Sequence, residues 1–174
     1  MSTRTPTILI RTLQDPDHQA VQQLVLDILN IEYQMALSLQ DLPDLSDLGT
    51  SYQPPAAQFW VATHHRRVVA CIGVMPLGDG DFELRRMYVH QDFRGLGLAQ
   101  RLLSVSLQWS RDHGVKSLYL ETNTQWQAAQ YLYGKHGFSR IDRSDLPAKF
   151  PVVRIATDFY RLHVSFAGTS IDPE

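Results

Sequence analysis

A glycine-containing stretch at residues 94–99 has the composition of a phosphate-binding turn. It reads Arg-Gly-Leu-Gly-Leu-Ala and follows a β-rich run and a short polar turn at residues 90–92. Glycines at positions 95 and 97 remove the Cβ atoms that would keep a ligand away from the backbone. The first turn of the following helix also has amide N–H groups without partners inside the helix, at the positive end of its dipole. A strand, a glycine-containing turn and a helix start together predict a site for a diphosphate.

Two motifs carry a resemblance to a known family. The Arg-x-x-Gly-x-Ala run at residues 94–99 resembles the (Gln/Arg)-x-x-Gly-x-(Gly/Ala) pattern of the GNAT superfamily, the acyl-CoA-dependent N-acetyltransferases. Residues 83–89 look like that family's fourth strand, and residues 129–138 resemble its second motif, Ala-x-x-Leu-Tyr-x-x-x-Gly-Phe. The resemblance covers residues 57–140 and implies acetyl-CoA as co-substrate, with no metal.

The resemblance also implies roles for individual residues. Glu83 lies six residues before Val89, where many family members carry a catalytic glutamate that acts directly or through water. Tyr133 matches the family tyrosine that protonates the departing thiolate or orients its sulfur. The Val89 amide is expected to face the thioester oxygen. The implied cofactor-binding residues are Met87, Tyr88, Val89, Arg94, Gly95, Leu96, Gly97, Leu98, Ala99 and Ala129.

These roles correspond to what amine acetylation requires. The amine must lose a proton, because an alkylammonium with a pKa of about 10 has no lone pair at neutral pH. The thioester oxygen must be stabilised as negative charge builds on it, and the thiolate should be protonated as it leaves. We expect direct attack in a ternary complex. Structural alternatives stay open: Glu83 pairs with Arg85 or another cation, and Tyr133 packs in the core, as expected for Tyr131.

The acceptor side is less well defined by the sequence. Its candidate lining residues are Tyr33, Tyr52, Trp60 and Arg85. The acidic segment at residues 41–47 has the charge to attract a cationic amine, but a solvated loop has the same composition. A small-molecule amine is the expected acceptor, with a protein N-terminus or lysine as the alternative. A monomer and a homodimer are both compatible with the sequence.

One position departs from the family pattern. The second motif often has Asn three residues before its alanine, contacting the pantetheine, and this chain has Trp126 there. Either Asn123 or Gln127 takes that hydrogen bond, or neither does. Glu121 is a possible second base.

The predicted elements follow the order β, α, (α), β, β, β, α, β, α, β, β, which favours a mixed α/β, three-layer fold and matches the GNAT order. Strands are predicted at residues 7–13, 58–63, 68–75, 83–89, 115–121, 138–141 and 157–164. Helices are predicted from Asp15-Pro16, over residues 96–113, and from a capping box at Thr124 to Gly137, with a short one within 33–56. The first helix has one apolar stripe, formed by Val21, Leu24, Val25, Ile28 and Leu29. The helix over 96–113 has a core face of Ala99, Leu102, Leu103, Ser106 and Trp109, and Gly114 ends it. Polar turns are predicted at residues 64–67 and 77–81. Arg85 and Arg86 interrupt the alternation of their strand, and one extra residue, a β-bulge, would restore it. The family has such a bulge in its mostly antiparallel sheet, where it splays the strand and opens a slot for the pantetheine arm.

Bulk properties set broad limits. The 174 residues predict one domain, with frayed ends at residues 1–6 and 167–174. A net charge of −2 gives no electrostatic case for nucleic acid or an anionic membrane. Cys71, the single cysteine, lies in an apolar run and is expected to be buried. No signal peptide or long apolar segment is recognisable, which favours the cytoplasm. The His64-His65 pair lacks further ligands at metal spacing.

Two rival functions deserve comparison. Gly95-x-Gly97 after a strand also resembles part of a dinucleotide fingerprint, with Glu121 where a ribose-binding acid would lie. Gln100 occupies the third glycine position, however, and about five residues separate the strand from Gly95, whereas the fingerprint follows its strand almost immediately. The rival from another class is a non-catalytic acyl-CoA-binding domain on the same fold, and the retained Glu83 and Tyr133 argue against it.

Overall fold

The computed structural model describes residues 6–153 and 156–164. Its strands are β1 Leu9–Thr12, β2 Gln58–His64, β3 Arg67–Gly78, β4 Asp81–Val89, β5 Ser117–Thr122, β6 Ser139–Ile141 and β7 Asp158–His163. Its α-helices are α1 His18–Asp27, α2 Pro43–Ser46, α3 Leu48–Ser51, α4 Leu98–Asp112 and α5 Gln127–Lys135. Most of the two ends predicted to fray lies outside the described residues.

The strands of the described chain form one open, seven-stranded sheet in the order β1-β2-β3-β4-β5-β7-β6. The β1–β2, β2–β3, β5–β7 and β6–β7 pairs are antiparallel, and the β4–β5 pair is parallel. The β4–β5 register pairs Asp81 with Ser117 and ends where Glu83 meets Tyr119. The predicted mixed α/β class with a mostly antiparallel sheet is therefore confirmed.

Contacts between Cα atoms divide the described chain into two compact units. Residues up to 75 and 85–106 form the first unit, and residues 76–84 and those from 107 onward form the second. The single domain expected from chain length stays a prediction.

The core of the first unit contains the apolar stripe predicted for α1. All five stripe residues are buried, and they belong to one cluster with residues of α2, α3, β2 and β3. They are Val21, Leu24, Val25, Ile28 and Leu29. Because each fully buried aliphatic side chain stabilises by about 1.5–3 kcal/mol, this stripe contributes strongly to the unit's stability. After α1 the chain continues in a π-helical turn, Ile28–Glu32, and not in a further α-helical turn.

Two hairpin turns agree with the sequence. In the first unit, His65 and Arg66 join β2 to β3 with φ of 47° and 66°. In the second unit, Asp79 and Gly80 join β3 to β4 with φ of 57° and 88°. Positive φ at both central residues is characteristic of the type I′ turn, whose twist matches that of the flanking strands.

Helix α4 follows its predicted pattern closely. Leu102, Leu103 and Ser106 are buried on the predicted face. Gly114 follows the helix with φ of 68°, as expected for a residue that ends a helix in the left-handed conformation.

The predicted start of α1, with Asp15 as N-cap and Pro16 as the first helical residue, was wrong by two residues. Asp15-Pro16 opens a single 3-10 turn, Asp15–Asp17, and α1 begins only at His18. The Asp17 carboxylate accepts a hydrogen bond from the Gln14 amide at 2.9 Å and pairs with Arg11 at 2.6 Å. These contacts stabilise the 3-10 turn. The Asp15-Pro16 pair therefore marks the start of this turn and not the start of α1.

The predicted capping box before α5 was also wrong. The Thr124 hydroxyl lies 2.5 Å from Asp158 Oδ2 and 2.9 Å from the Thr157 hydroxyl. Trp126 precedes the helix and provides no side-chain cap. Thr124 thus bonds to Thr157 and Asp158, more than 30 positions later in the chain, and does not cap the helix. Sequence periodicity does not reveal such a distant partner.

Candidate active site

The predicted phosphate-binding turn lies in the first unit, between β4 and α4. A 3-10 turn, Gln91–Phe93, follows the strand, and Gly95 and Gly97 then adopt φ of 75° and 73°. A Cβ atom added to either glycine would meet no atom within 4 Å. The glycines are therefore required by backbone conformation and not by packing, and the space beside the turn is open.

Helix α4 supplies the second part of this turn. Its first intrahelical hydrogen bond joins the Arg101 amide to the Gly97 carbonyl at 3.0 Å. The amides that precede Arg101 in the first turn have no acceptor inside the helix, and the helix dipole places partial positive charge there. An exposed, glycine-opened backbone at the start of a 15-residue helix can bind an anionic group.

The side chain of Arg94 has partners on the protein itself. Its Nε donates to the Val89 carbonyl at 3.0 Å, and its Nη2 donates to both Glu32 oxygens at 2.8 and 2.7 Å. The sequence predicts Arg94 as a cofactor-binding residue and does not predict Glu32 as its partner. No periodicity signal marks Glu32, which ends the π turn after α1.

The two successive arginines of β4 coincide with an irregularity of the strand. Arg86 has φ of 57°, a left-handed conformation that a regular strand does not contain. Its Nε and Nη2 donate to the two oxygens of Asp44 at 3.0 and 2.6 Å. The Tyr52 hydroxyl also donates to Asp44, at 2.8 Å, and Arg85 Nη2 lies 3.4 Å from it. This Asp44 cluster anchors the irregular part of β4.

The pKa directions agree with an ionised Asp44 cluster. Burial alone would raise the pKa of Asp44, but the hydrogen bonds and charge of Arg86 outweigh it and lower that pKa below its usual value. Burial, reinforced by the nearby Asp44 charge, raises the pKa of Tyr52 well above its ordinary value. Asp44 is 6% exposed. Its carboxylate therefore pairs with protein groups, and this acid of the 41–47 segment is not available to attract a cationic amine.

The structure separates the four candidate acceptor-side residues into different surroundings. Tyr52 and Arg85 meet at Asp44, and the Tyr52 ring packs in an edge arrangement 4.8 Å from that of Phe59. Trp60 is buried in β2. Tyr33 is 39% exposed. Burial mainly raises the pKa of Tyr33, and the charges of Arg94 and Glu32 also act on this phenol.

The two predicted catalytic residues lie in the second unit. Glu83 is 3% exposed on β4, in register with Tyr119 of β5. Tyr133 is 6% exposed on α5, with its ring centroid 5.8 Å from that of Phe138 and 6.0 Å from that of Tyr160.

The predicted packing of Tyr131 on α5 was wrong. Tyr131, expected as a packed aromatic, is 75% exposed, because it lies on the outer face of the helix. Ala129 is half-buried on the same helix. Near the departure at Trp126, the Asn123 side chain accepts from the Gln125 amide at 3.0 Å, and Gln127 is exposed at the helix start.

Cys71 has the inert environment that the sequence predicts. It is fully buried in β3, and its Sγ donates to the Arg86 carbonyl at 3.2 Å. Burial raises the pKa of this thiol to about 12. A thiolate nucleophile is therefore not accessible at this position near neutral pH.

Across residues 6–153 and 156–164, no group of three His, Cys, Asp or Glu side chains has the arrangement to hold a metal ion. In the same part of the chain, no helix has both the length and the apolar character needed to cross a bilayer.

Comparisons with known proteins agree with the predicted family. Residues 55–140 match the family model described as an acetyltransferase (GNAT) domain. N-acetyltransferase 8F1 of Rattus norvegicus is 33% identical over 119 residues, which cover 66% of this chain and 54% of the rat protein. The chain spans 54–62% of the length of this and two further curated relatives.

Solved structures show the same fold. A GNAT-family acetyltransferase from Staphylococcus aureus Mu50 superposes with a TM-score of 0.86 at 28% identity, covering 91% of this chain and 100% of that one. The PaiA N-acetyltransferase of Thermoplasma acidophilum, solved in complex with coenzyme A, gives 0.68 at 15% identity, covering 90% and 99%. The chain belongs to the GNAT superfamily of acyl-CoA-dependent N-acetyltransferases, as the two motifs predict.

Proposed function

We propose that this protein transfers the acetyl group of acetyl-CoA to a primary amine by direct attack in a ternary complex. The acceptor is a small molecule in this proposal. The observation that carries it is the open turn at residues 94–97, where two left-handed glycines leave the backbone uncovered at the start of α4.

The open turn fits the diphosphate of coenzyme A. Space that a Cβ would occupy at Gly95 and Gly97 is free for phosphate oxygens. The main-chain amides at residues 95–99 would donate to those oxygens, with the helix dipole of α4 adding a favourable field. Met87, Tyr88 and Val89 on the preceding strand would hold the pantetheine arm through main-chain hydrogen bonds, and Ala129 of α5 would contact the cofactor, as the family resemblance implies.

Glu83 and Tyr133 supply the proton chemistry in this proposal. Glu83 takes the proton of the attacking ammonium, directly or through water, so that its nitrogen lone pair becomes available. The Val89 amide donates to the thioester oxygen as negative charge develops on it. Tyr133 gives a proton to the departing sulfur or orients it. The nitrogen–carbonyl bond forms and the carbon–sulfur bond breaks, leaving an amide and free coenzyme A.

The environment of Cys71 favours direct transfer over a covalent acetyl-enzyme. A ping-pong reaction needs an activated nucleophile on the protein. The chain's single cysteine is buried, with its pKa raised to about 12. Initial-velocity plots against both substrates should therefore intersect, and parallel lines would contradict the ternary complex.

The acceptor is best identified by a screen with a direct product readout. Release of coenzyme A thiol is followed with polyamines, amino acids and aminoglycosides, and with peptides that present a free N-terminus or a lysine. Mass spectrometry then identifies the acceptor that gains one acetyl group. A small-molecule product supports the proposal, whereas a peptide product alone supports the protein-acetyltransferase alternative.

A binding measurement separates an enzyme from a non-catalytic binder. If acetyl-CoA stabilises the protein against heat but no amine accelerates thiol release, the acyl-CoA-binding alternative is favoured. If neither acetyl-CoA nor coenzyme A binds, the proposed function is wrong.

A further inference from the structure

Arg94 begins the predicted phosphate-binding turn, but its guanidinium is directed at protein acceptors. Two of its nitrogens make three hydrogen bonds: one to the Val89 carbonyl and two to the Glu32 carboxylate. The 3.0 Å bond to Val89 spans the whole connection from β4 to the turn. The Arg94 side chain therefore reaches back to the end of β4 and closes residues 89–94 into a loop.

Glu32 holds the far side of the same guanidinium. Both of its oxygens accept from Nη2, at 2.8 and 2.7 Å. Its side chain is 25% exposed, and that of Arg94 is 45% exposed. An isolated exposed ion pair contributes only about 0–1 kcal/mol. The Glu32–Arg94 pair matters here because it fixes the orientation in which Arg94 Nε donates to the Val89 carbonyl.

The segment that carries Glu32 is itself held in place. Glu32 ends the π turn Ile28–Glu32, and such turns often mark functional sites. The Asn30 side chain donates to the Leu37 carbonyl and accepts from the Leu37 amide, both at 2.7 Å. The Tyr33 amide donates to the Ile28 carbonyl at 3.2 Å. Glu32 thus projects from a segment tied down on both sides.

We infer that Glu32 is a positioning residue for coenzyme A. It holds Arg94 against Val89, and this contact sets the turn whose amides bind the diphosphate. This inference rests on the proposed function and deepens it. It also assigns Arg94 a geometric role, because the Glu32 carboxylate neutralises the charge that would otherwise attract phosphate.

The test compares Glu32→Gln, Arg94→Gln and the double variant. Each single change should weaken coenzyme A binding about tenfold, equivalent to about 1.4 kcal/mol, as measured by titration calorimetry. The double variant should lose no more than either single one, because both changes break the same contact. At saturating acetyl-CoA, the turnover number of Glu32→Gln should stay within about twofold of wild type, since the chemical step does not involve Glu32.

Asp27→Asn is the matched control. Asp27 is an exposed acid of α1, and its carboxylate accepts a hydrogen bond from Gln23 at 2.6 Å. This variant should bind coenzyme A as wild type does. Equal weakening in the control and in Glu32→Gln would indicate a general charge effect and overturn the inference.

Hydrogen exchange provides a readout that needs no bound cofactor. Without ligand, Glu32→Gln should accelerate amide exchange at residues 90–97, and Asp27→Asn should not. Unchanged exchange, additive losses in the double variant, or tighter binding by Glu32→Gln would each overturn the inference; the last would mean that Glu32 competes with the diphosphate. If the wild-type protein binds no coenzyme A, the proposed function is wrong. Faster exchange at residues 90–97 in Glu32→Gln would still show that the Glu32–Arg94 contact stabilises the turn.

Discussion

At the scale of single residues, the proposed chemistry depends most on Glu83. Glu83 is almost fully buried on β4, in the last registered pair with β5. Glu83→Gln preserves the shape of the side chain and removes its capacity to accept a proton. We expect turnover to fall about 10²–10⁴-fold, with acetyl-CoA affinity near wild type, in steady-state kinetics over a range of pH.

Glu121→Gln is the control for this prediction. The Glu121 Oε2 accepts from the Val153 amide at 3.1 Å, and Glu121 was the second candidate base. If Glu121→Gln loses turnover and Glu83→Gln keeps it with an unchanged pH profile, the base has been misassigned.

Tyr133 combines a packing role with a proposed chemical one. Its ring contacts Phe138 and Tyr160 in the second unit. Tyr133→Phe keeps these contacts and removes only the hydroxyl, so thiol release in a single turnover should slow by about 10²-fold while thermal stability stays close to wild type. Tyr131→Phe, on the exposed face of the same helix, should have no effect. Equal single-turnover rates in both variants would leave Tyr133 as a packing residue.

At the scale of elements, the two ends of α4 offer a matched pair of glycines. Gly97 before the helix and Gly114 after it have φ of 73° and 68°, and an added Cβ meets no atom within 4 Å at either. Alanine should therefore destabilise the protein similarly at both, by about 1 kcal/mol.

Only Gly97→Ala should change the affinity for coenzyme A. Its new methyl group would enter the space proposed for the diphosphate, so coenzyme A binding should weaken by more than about tenfold, or 1.4 kcal/mol. Gly114→Ala should leave the dissociation constant unchanged in the same calorimetric titration. A similar loss in both variants would show that backbone strain, and not ligand contact, explains the effect at Gly97.

At the scale of the whole molecule, the Asp44 cluster links stability to pH. The folded-state pKa of Asp44 is lowered, so its contribution is present above the unfolded pKa of about 4 and is lost as pH falls through the lower folded value. Asp44→Asn leaves the partly buried guanidinium groups of Arg85 and Arg86 without their carboxylate and should cost about 3 kcal/mol at neutral pH. The difference in the free energy of unfolding between wild type and Asp44→Asn, measured with denaturant, should become smaller below about pH 4.

A fully exposed carboxylate gives the comparison for this measurement. The Asp15 side chain is 101% exposed relative to the reference residue. Asp15→Asn should change the free energy of unfolding by less than about 0.5 kcal/mol at either pH. A gap between wild type and Asp44→Asn that stays constant with pH would mean that Asp44 stabilises the fold without its charge.

Local features of this protein were predictable from its sequence. The apolar stripe of α1, the two hairpin turns and the glycine after α4 each depend on residues close together in the chain. Spacing and backbone preference determine such features, and so the order of elements and the turn at residues 94–97 followed from the sequence. The two motifs also identified the GNAT superfamily, because they combine that turn with a second pattern at the expected separation.

Side-chain partners were decided only by the tertiary structure. Arg94 pairs with Glu32 across 62 positions, and Arg86 pairs with Asp44 across 42. Thr124 likewise bonds to Asp158 and does not cap α5. Periodicity shows which face of an element is apolar, but a polar residue's partner depends on which distant segment folds beside it. The turn could therefore be predicted, and the side chains that hold it could not.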